Sequence, residues 1–98
     1  MRILVALDQG TTSSRAIVFD EAGHTLASHA IAFKQHYPQP GWVEHDPDDI
    51  LGTQVEALQK AVKMSKVDVR DIAAIGITNQ RETTLLWEKD TGRCVHNA

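Results

Sequence analysis

A chain of 98 residues forms one small domain at most and buries only roughly 60 to 65% of the surface it exposes when unfolded. Its 42% apolar and 23% charged content lies near the globular average and argues against a disordered or fibrous class. Thirteen acidic residues against ten basic ones leave a net charge of -3, so no electrostatic force draws the chain to nucleic acid.

The first element is the apolar run Ile3 to Leu7, which ends at Asp8 and reads as a strand covered on both faces. It is the longest apolar run and falls far short of the roughly 20 residues that span a bilayer, and no secretory signal precedes it. Cys94 stands alone, so no intrachain disulfide forms. A cytoplasmic location without a membrane partner is the expectation.

The turn after Asp8, Gln9-Gly10-Thr11-Thr12-Ser13-Ser14, concentrates backbone amides and hydroxyls. Successive amides in a turn make an anion-binding concavity, and Gly10 permits a backbone geometry that other residues resist. Asp8 adds a hard oxygen ligand of the kind magnesium takes together with phosphate and water. Arg15 offers a cation close by. The same residue types also favour a plain polar hairpin. The segment lacks the Gly-Lys-Thr/Ser ending of a P-loop, and a strand follows it rather than a helix.

Arg15 to Asp20 reads as a second strand, turning through Glu21-Ala22-Gly23-His24 into a third over Thr25 to Phe33, which completes an antiparallel meander. Pro38, Pro40 and Gly41 make Gln35 to His45 an irregular loop with Tyr37 and Trp42 as its expected anchors. Asp46 caps a helix that starts on Pro47, carries Asp48 and Asp49 in its first turn and runs to Ser65. Leu51, Val55, Leu58 and Val62 form its expected apolar stripe, and Lys60, Lys63 and Lys66 oppose the dipole at its end.

Ile72 to Thr78 reads as another buried strand, ending in Asn79-Gln80-Arg81-Glu82. Thr83 to Trp87 and a short segment around Cys94 and Val95 read as further strands, joined by a hairpin turn at Asp90-Thr91-Gly92. Arg81 supplies fixed donors and Glu82 acceptors, a pairing suited to a polyol, although taken alone an ordinary exposed ion pair is the simpler explanation. The histidines His24, His29, His36, His45 and His96 show no metal-ligand spacing and read as loop or surface residues. Cys94 and His96 alone do not close a zinc site. Two buried strands with one helix leave a sheet face without its layer, so exposed apolar surface is expected.

Three segments together, Asp8-Gln9-Gly10-Thr11-Thr12-Ser13-Ser14-Arg15, Gly41-Trp42-Val43-Glu44-His45-Asp46-Pro47 and Gly76-Ile77-Thr78-Asn79-Gln80-Arg81-Glu82-Thr83-Thr84, resemble in order and spacing the start of the glycerol kinase family. These are sugar and polyol kinases with an actin-like, ribonuclease H-like α/β fold, and the resemblance covers essentially the whole chain. It implies ATP-dependent phosphorylation of glycerol to glycerol 3-phosphate with Mg2+, in a parent enzyme that assembles as a homo-oligomer. Thr11, Thr12, Ser13 and Arg15 then take nucleotide-contact roles, with Thr11 also near the phosphorylated product. Asp8 takes the magnesium-linked role, and Arg81 and Glu82 hold glycerol hydroxyls.

Residues 1–98 then form the N-terminal portion of the first kinase domain. The rest of that domain, a second closing domain and the proton-accepting aspartate belong to sequence beyond it, so the chain alone is expected to be inactive. A related polyol or sugar kinase, or a noncatalytic phosphate-binding module, are the competing readings.

Overall fold

The computed structural model describes every residue from Met1 to Ala98. Its elements are β1 (Ile3–Gln9), β2 (Ser13–Phe19), β3 (Thr25–Ala32), the helix α1 (Pro47–Ser65), a short 3-10 turn at Val69–Asp71 and β4 (Ile72–Thr78). The four strands form one sheet in the order β3-β2-β1-β4. β1 to β3 are the expected antiparallel meander, and β4 returns beside β1 in parallel.

Local chemistry accounts for the element ends. Asp20 accepts the amides of Ala22 and His24 through its side chain, and Gly23 takes φ 84 to turn β2 into β3. Asp46 accepts the Asp48 amide, Pro47 opens α1, and Lys66 closes it in the left-handed region with its amide on the Lys63 carbonyl.

The core lies between α1 and one sheet face. Ile3, Val5, Ala16, Val18, Ala57 and Ala61 are buried together. The expected helix stripe is therefore displaced: Ala57 and Ala61 face the sheet, Leu58 and Val62 pack at the margin, and Leu51 and Val55 remain exposed. Alanines at the centre let the helix axis come close to Ala16, where a leucine row would hold it off.

α1 lies mainly across β2 and β3 and reaches β1 through Ile3 and Val5. β1 and β4 read as strands that need cover on both faces, and with a single helix present the expected exposure of apolar surface is found. Leu4, Ile75 and Ile77 are exposed, the last by 74% of its surface. The expected strands at Thr83 to Trp87 and around Cys94 and Val95 do not form. A single bridge, Trp87 with Cys94, and a few backbone bonds close a loop there. Leu86, Trp87 and Val95 stay exposed, and a two-stranded ribbon with no apolar face to pack against does not extend.

Tyr37 and Trp42 do not anchor the loop before α1; both are more than half exposed. The loop is closed at its base by the paired backbones of His36 and Glu44, at 2.9 and 2.8 Å. That closure leaves the aromatic rings no need to turn inward.

Candidate functional site

Because β1 and β4 are parallel neighbours, with Asp8 opposite Thr78, their carboxyl ends finish at the same sheet edge. The turn after β1 and the loop after β4 are thereby brought side by side, the position in which open α/β sheets bind ligands. Between them lies a cleft of about 540 Å³, with Thr11, Thr12, Gln35 and His45 among the lining residues on one side and Gln80 and Glu82 on the other.

Within the turn, the amides of Thr11 and Thr12 donate to no protein group. The Gly10 amide is used internally, on the Ser13 carbonyl at 3.0 Å. Gly10 does not occupy the left-handed region; its requirement is steric, since a Cβ there would meet the Ser13 oxygen at 3.2 Å. Ser14 is fully buried and turned away, bonded to the Gln9 side chain and to Thr53 of α1, both at 2.9 Å. Its neighbours Thr11, Thr12 and Ser13 keep hydroxyls that make no protein hydrogen bond.

Asp8 and Arg15 are cross-strand partners on the face that α1 does not cover, and both are exposed. Thr78 donates its hydroxyl to Asp8 Oδ1 at 3.3 Å. The expected site residues thus divide. Thr11, Thr12 and Glu82 share the cleft, whereas Asp8, Ser13, Arg15 and Arg81 are not among its lining residues. Arg81 and Glu82 form no ion pair with each other, which removes the simplest structural explanation for the pair.

Glu82 adopts φ 60, a conformation that non-glycine residues seldom take and that costs about 1 kcal/mol or more. Thr83 stabilises this turn by donating to Gln80 Oε1 at 2.8 Å. No sequence signal gave that backbone state.

His45, expected as a loop or surface residue, does lie in the loop before α1 but is buried there, with 6% exposure. Its ring meets Phe33 edge-on, with centroids 5.1 Å apart, and its Nε2 lies 2.7 Å from Gln35 Oε1. Neither Gln35 nor His45 was singled out from the sequence as a site residue. The available cues were their place in a loop between the meander and the helix and, for His45, its place in the Gly41 to Pro47 segment of the resemblance.

Residues 3–98 match the model of the FGGY family of carbohydrate kinases, N-terminal domain. The chain belongs to the FGGY family of carbohydrate kinases. It is 56% identical over all 98 residues to glycerol kinase 2 of Thermotoga maritima, and it spans 20% of that relative's length. A glycerol kinase of Plasmodium falciparum crystallised with ADP superimposes at a TM-score of 0.85 with 31% identity, covering 99% of this chain and 20% of that one. Xylulose kinase from Lactobacillus acidophilus shares the fold at a TM-score of 0.88 and 24% identity, over 99% of this chain and 19% of the other. The resemblance seen in the three sequence segments is thus borne out, as is the actin-like kinase fold. This FGGY chain spans about one fifth of the curated relatives it matches.

Proposed function

We propose that this chain supplies the phosphate turn and the polyol-binding loop of an enzyme that transfers the γ-phosphoryl group of ATP to glycerol, giving glycerol 3-phosphate and ADP. The observation that carries this reading is the cleft at the shared carboxyl edge of β1 and β4. There the partnerless amides of Thr11 and Thr12 stand across from Gln80 and Glu82. Donors for an anionic phosphate and acceptors for a hydroxylated substrate meet in one space, as phosphoryl transfer by positioning and charge stabilisation requires. The 56% identity to glycerol kinases along the whole chain favours glycerol over a pentulose.

In this reading Thr11, Thr12, Ser13 and Arg15 contact the nucleotide, with Thr11 also near the product. Arg81 and Glu82 hold the glycerol hydroxyls. Asp8 alone is a poor metal site, and no cluster of three or more acidic, histidine or cysteine side chains exists to complete one. One exposed carboxylate beside a phosphate-binding turn does fit Mg2+ arriving with its nucleotide, since that ion keeps several waters and takes one or two carboxylates together with phosphate. Bound there, the ion supplies charge neutralisation of the phosphates; the chain contributes Asp8 as one oxygen donor.

The chain forms the N-terminal portion of the first kinase domain. The remaining sheet cover, the closing domain and the general base come from a longer parent that assembles as a homo-oligomer. A general base is worth ~10² to 10⁴ in rate, and an open site does not exclude water. Steady glycerol phosphorylation is therefore expected from the full-length protein and not from the 98 residues alone. No helix here is long and apolar enough to cross a membrane. The cytoplasm, which holds ATP and keeps Cys94 reduced, is the compartment this reading implies.

The test is a substrate panel on the full-length protein. Glycerol should be turned over with far higher kcat/KM than erythritol or xylulose, and Glu82→Gln should lower it for glycerol by about tenfold or more. Preference for a pentulose would assign the site to a related sugar kinase, and absence of turnover with any polyol would overturn the reading.

A further inference from the structure

Gln35 and His45 lie beside the phosphate turn without belonging to any motif of the resemblance that implies contact with substrate. The Gln35 amide nitrogen donates to the Thr11 carbonyl at 3.1 Å and lies 3.4 Å from the Phe33 carbonyl. Both of those partners are acceptors, so the amino end of the Gln35 side chain must face them and its oxygen must face His45. The ring nitrogen 2.7 Å from that oxygen is therefore a donor, which fixes Nε2 of His45 as protonated. His45 itself is held by burial, by the Phe33 ring, and by two backbone hydrogen bonds to Ala98 at 2.9 and 2.8 Å.

The chain of donors runs from His45 through Gln35 to the Thr11 carbonyl. A peptide unit is planar and trans, so its C=O and N–H point in opposite directions. Holding the Thr11 carbonyl toward Gln35 aims the Thr12 N–H the other way, where it meets no protein acceptor. The next carbonyl, of Thr12, is held in turn by the Phe33 amide at 3.2 Å. The two carbonyls of the turn are thus anchored on the loop side.

We propose that Gln35 and His45 are positioning residues that set the orientation of the Thr11–Thr12 peptide, so that its N–H is presented to a nucleotide phosphate oxygen. The inference rests on the kinase reading above for the identity of the ligand, and on the hydrogen bonds alone for the orientation. The pair does not touch the reacting atoms in this account. It acts through the turn, where a misdirected amide loses a charge-assisted hydrogen bond.

The test compares His45→Phe, which keeps an aromatic edge against Phe33 and removes the donor, with His45→Gln, whose amide restores an N–H near the Nε2 position. In the full-length protein, His45→Phe should lower kcat/KM for MgATP by roughly tenfold or more, the worth of one hydrogen bond to a charged group. KM for glycerol should stay within about twofold, as expected for a change confined to the nucleotide side. His45→Gln should recover most of the loss, while the two variants show similar melting temperatures. Equal losses in both variants, or none in either, would overturn the proposal.

Gln35→Met, which keeps length and removes both polar ends, supplies the same comparison if His45→Phe fails to fold. Amide hydrogen exchange provides the second readout and does not depend on turnover. Gly10 and Phe33 amides should exchange faster in His45→Phe and Gln35→Met, with Val5 and Val18 unchanged. If the wild-type protein turns over no polyol, the kinase reading fails while this exchange pattern still decides the positioning claim. Unchanged exchange at Gly10 and Phe33 would sink it.

Discussion

Ser13 and Ser14 are adjacent and chemically identical, yet the strand alternation sends them to opposite faces of the sheet. Ser14 points under α1, where Gln9 and Thr53 take its hydroxyl, and Ser13 keeps a hydroxyl without a protein partner. Ser14→Ala removes a fully buried hydrogen-bonding group and strands Gln9 Oε1, so it should lower stability by about 1 to 3 kcal/mol in urea unfolding. Ser13→Ala should change stability by less than about 0.5 kcal/mol, because the half-buried Ser13 hydroxyl has no protein partner to lose.

Asp20 shows a second residue-scale effect. Its carboxyl is held below the usual carboxylate range, first by the His24 backbone amide and also by the His24 side chain and the Ala22 amide, against a smaller opposing desolvation. A group whose folded pKa is depressed contributes stability that is present above its unfolded pKa and is lost as pH falls through the folded value. The turn from β2 to β3 should therefore loosen as the pH drops below the ordinary aspartate range. NMR titration of Asp20 should give a midpoint below that of a model aspartate. An unshifted midpoint would show that the His24 hydrogen bonds do not persist in solution.

At the scale of elements, caps and turns were legible because each is written in a few adjacent residues. Asp46-Pro47 opens the helix and Gly23 turns the meander, as the sequence indicated. Apolar size points to Leu51, Val55, Leu58 and Val62 as the buried helix face, whereas the sheet selects Ala57 and Ala61 for close approach. Ala61→Leu should thus destabilise the chain by about 1 to 3 kcal/mol through overpacking. Leu51→Ala, at a side chain 65% exposed, should cost about 0.5 kcal/mol or less. Paired denaturation curves would reverse this account if the leucine change proved the costlier. The strands expected beyond Thr78 failed for a related reason: alternation and a hairpin turn specify a ribbon only where a third layer accepts its apolar face.

The whole molecule is a slab of 48 × 32 × 20 Å with a radius of gyration of 15.4 Å, against roughly 13 Å for a compact domain of about this length. Its accessible surface of 7013 Å² exceeds the roughly 5,500 Å² of a folded monomer of similar mass. The excess is apolar in part: Leu4, Ile75 and Ile77 on the uncovered strands, and a groove of about 710 Å³ between α1 and β4 lined by Leu58, Val62, Val67, Ile72 and Ile75. An apolar surface of this kind favours association with other apolar groups. The isolated chain should bind a hydrophobic dye and self-associate, and Ile77→Lys should reduce both while shifting stability by less than about 0.5 kcal/mol. Dye binding equal to that of an ordinary folded domain, together with a monomeric sedimentation profile, would contradict this.

The sequence by itself determined the family, the meander and the helix limits, and that polar turns follow β1 and β4, although β1 runs on through Asp8 and Gln9 before its turn, because short-range chemistry and residue order carry that information. Only the tertiary structure decided that parallel pairing of β1 with β4 sets Thr11, Thr12 and Glu82 around one cleft, and that Asp8 and Arg15 lie on the uncovered sheet face. It alone showed His45 buried behind the turn and Glu82 in the left-handed region. Those facts depend on contacts between residues far apart in the chain, such as Thr78 with Asp8 and Gln35 with Thr11, and local sequence contains no term for them.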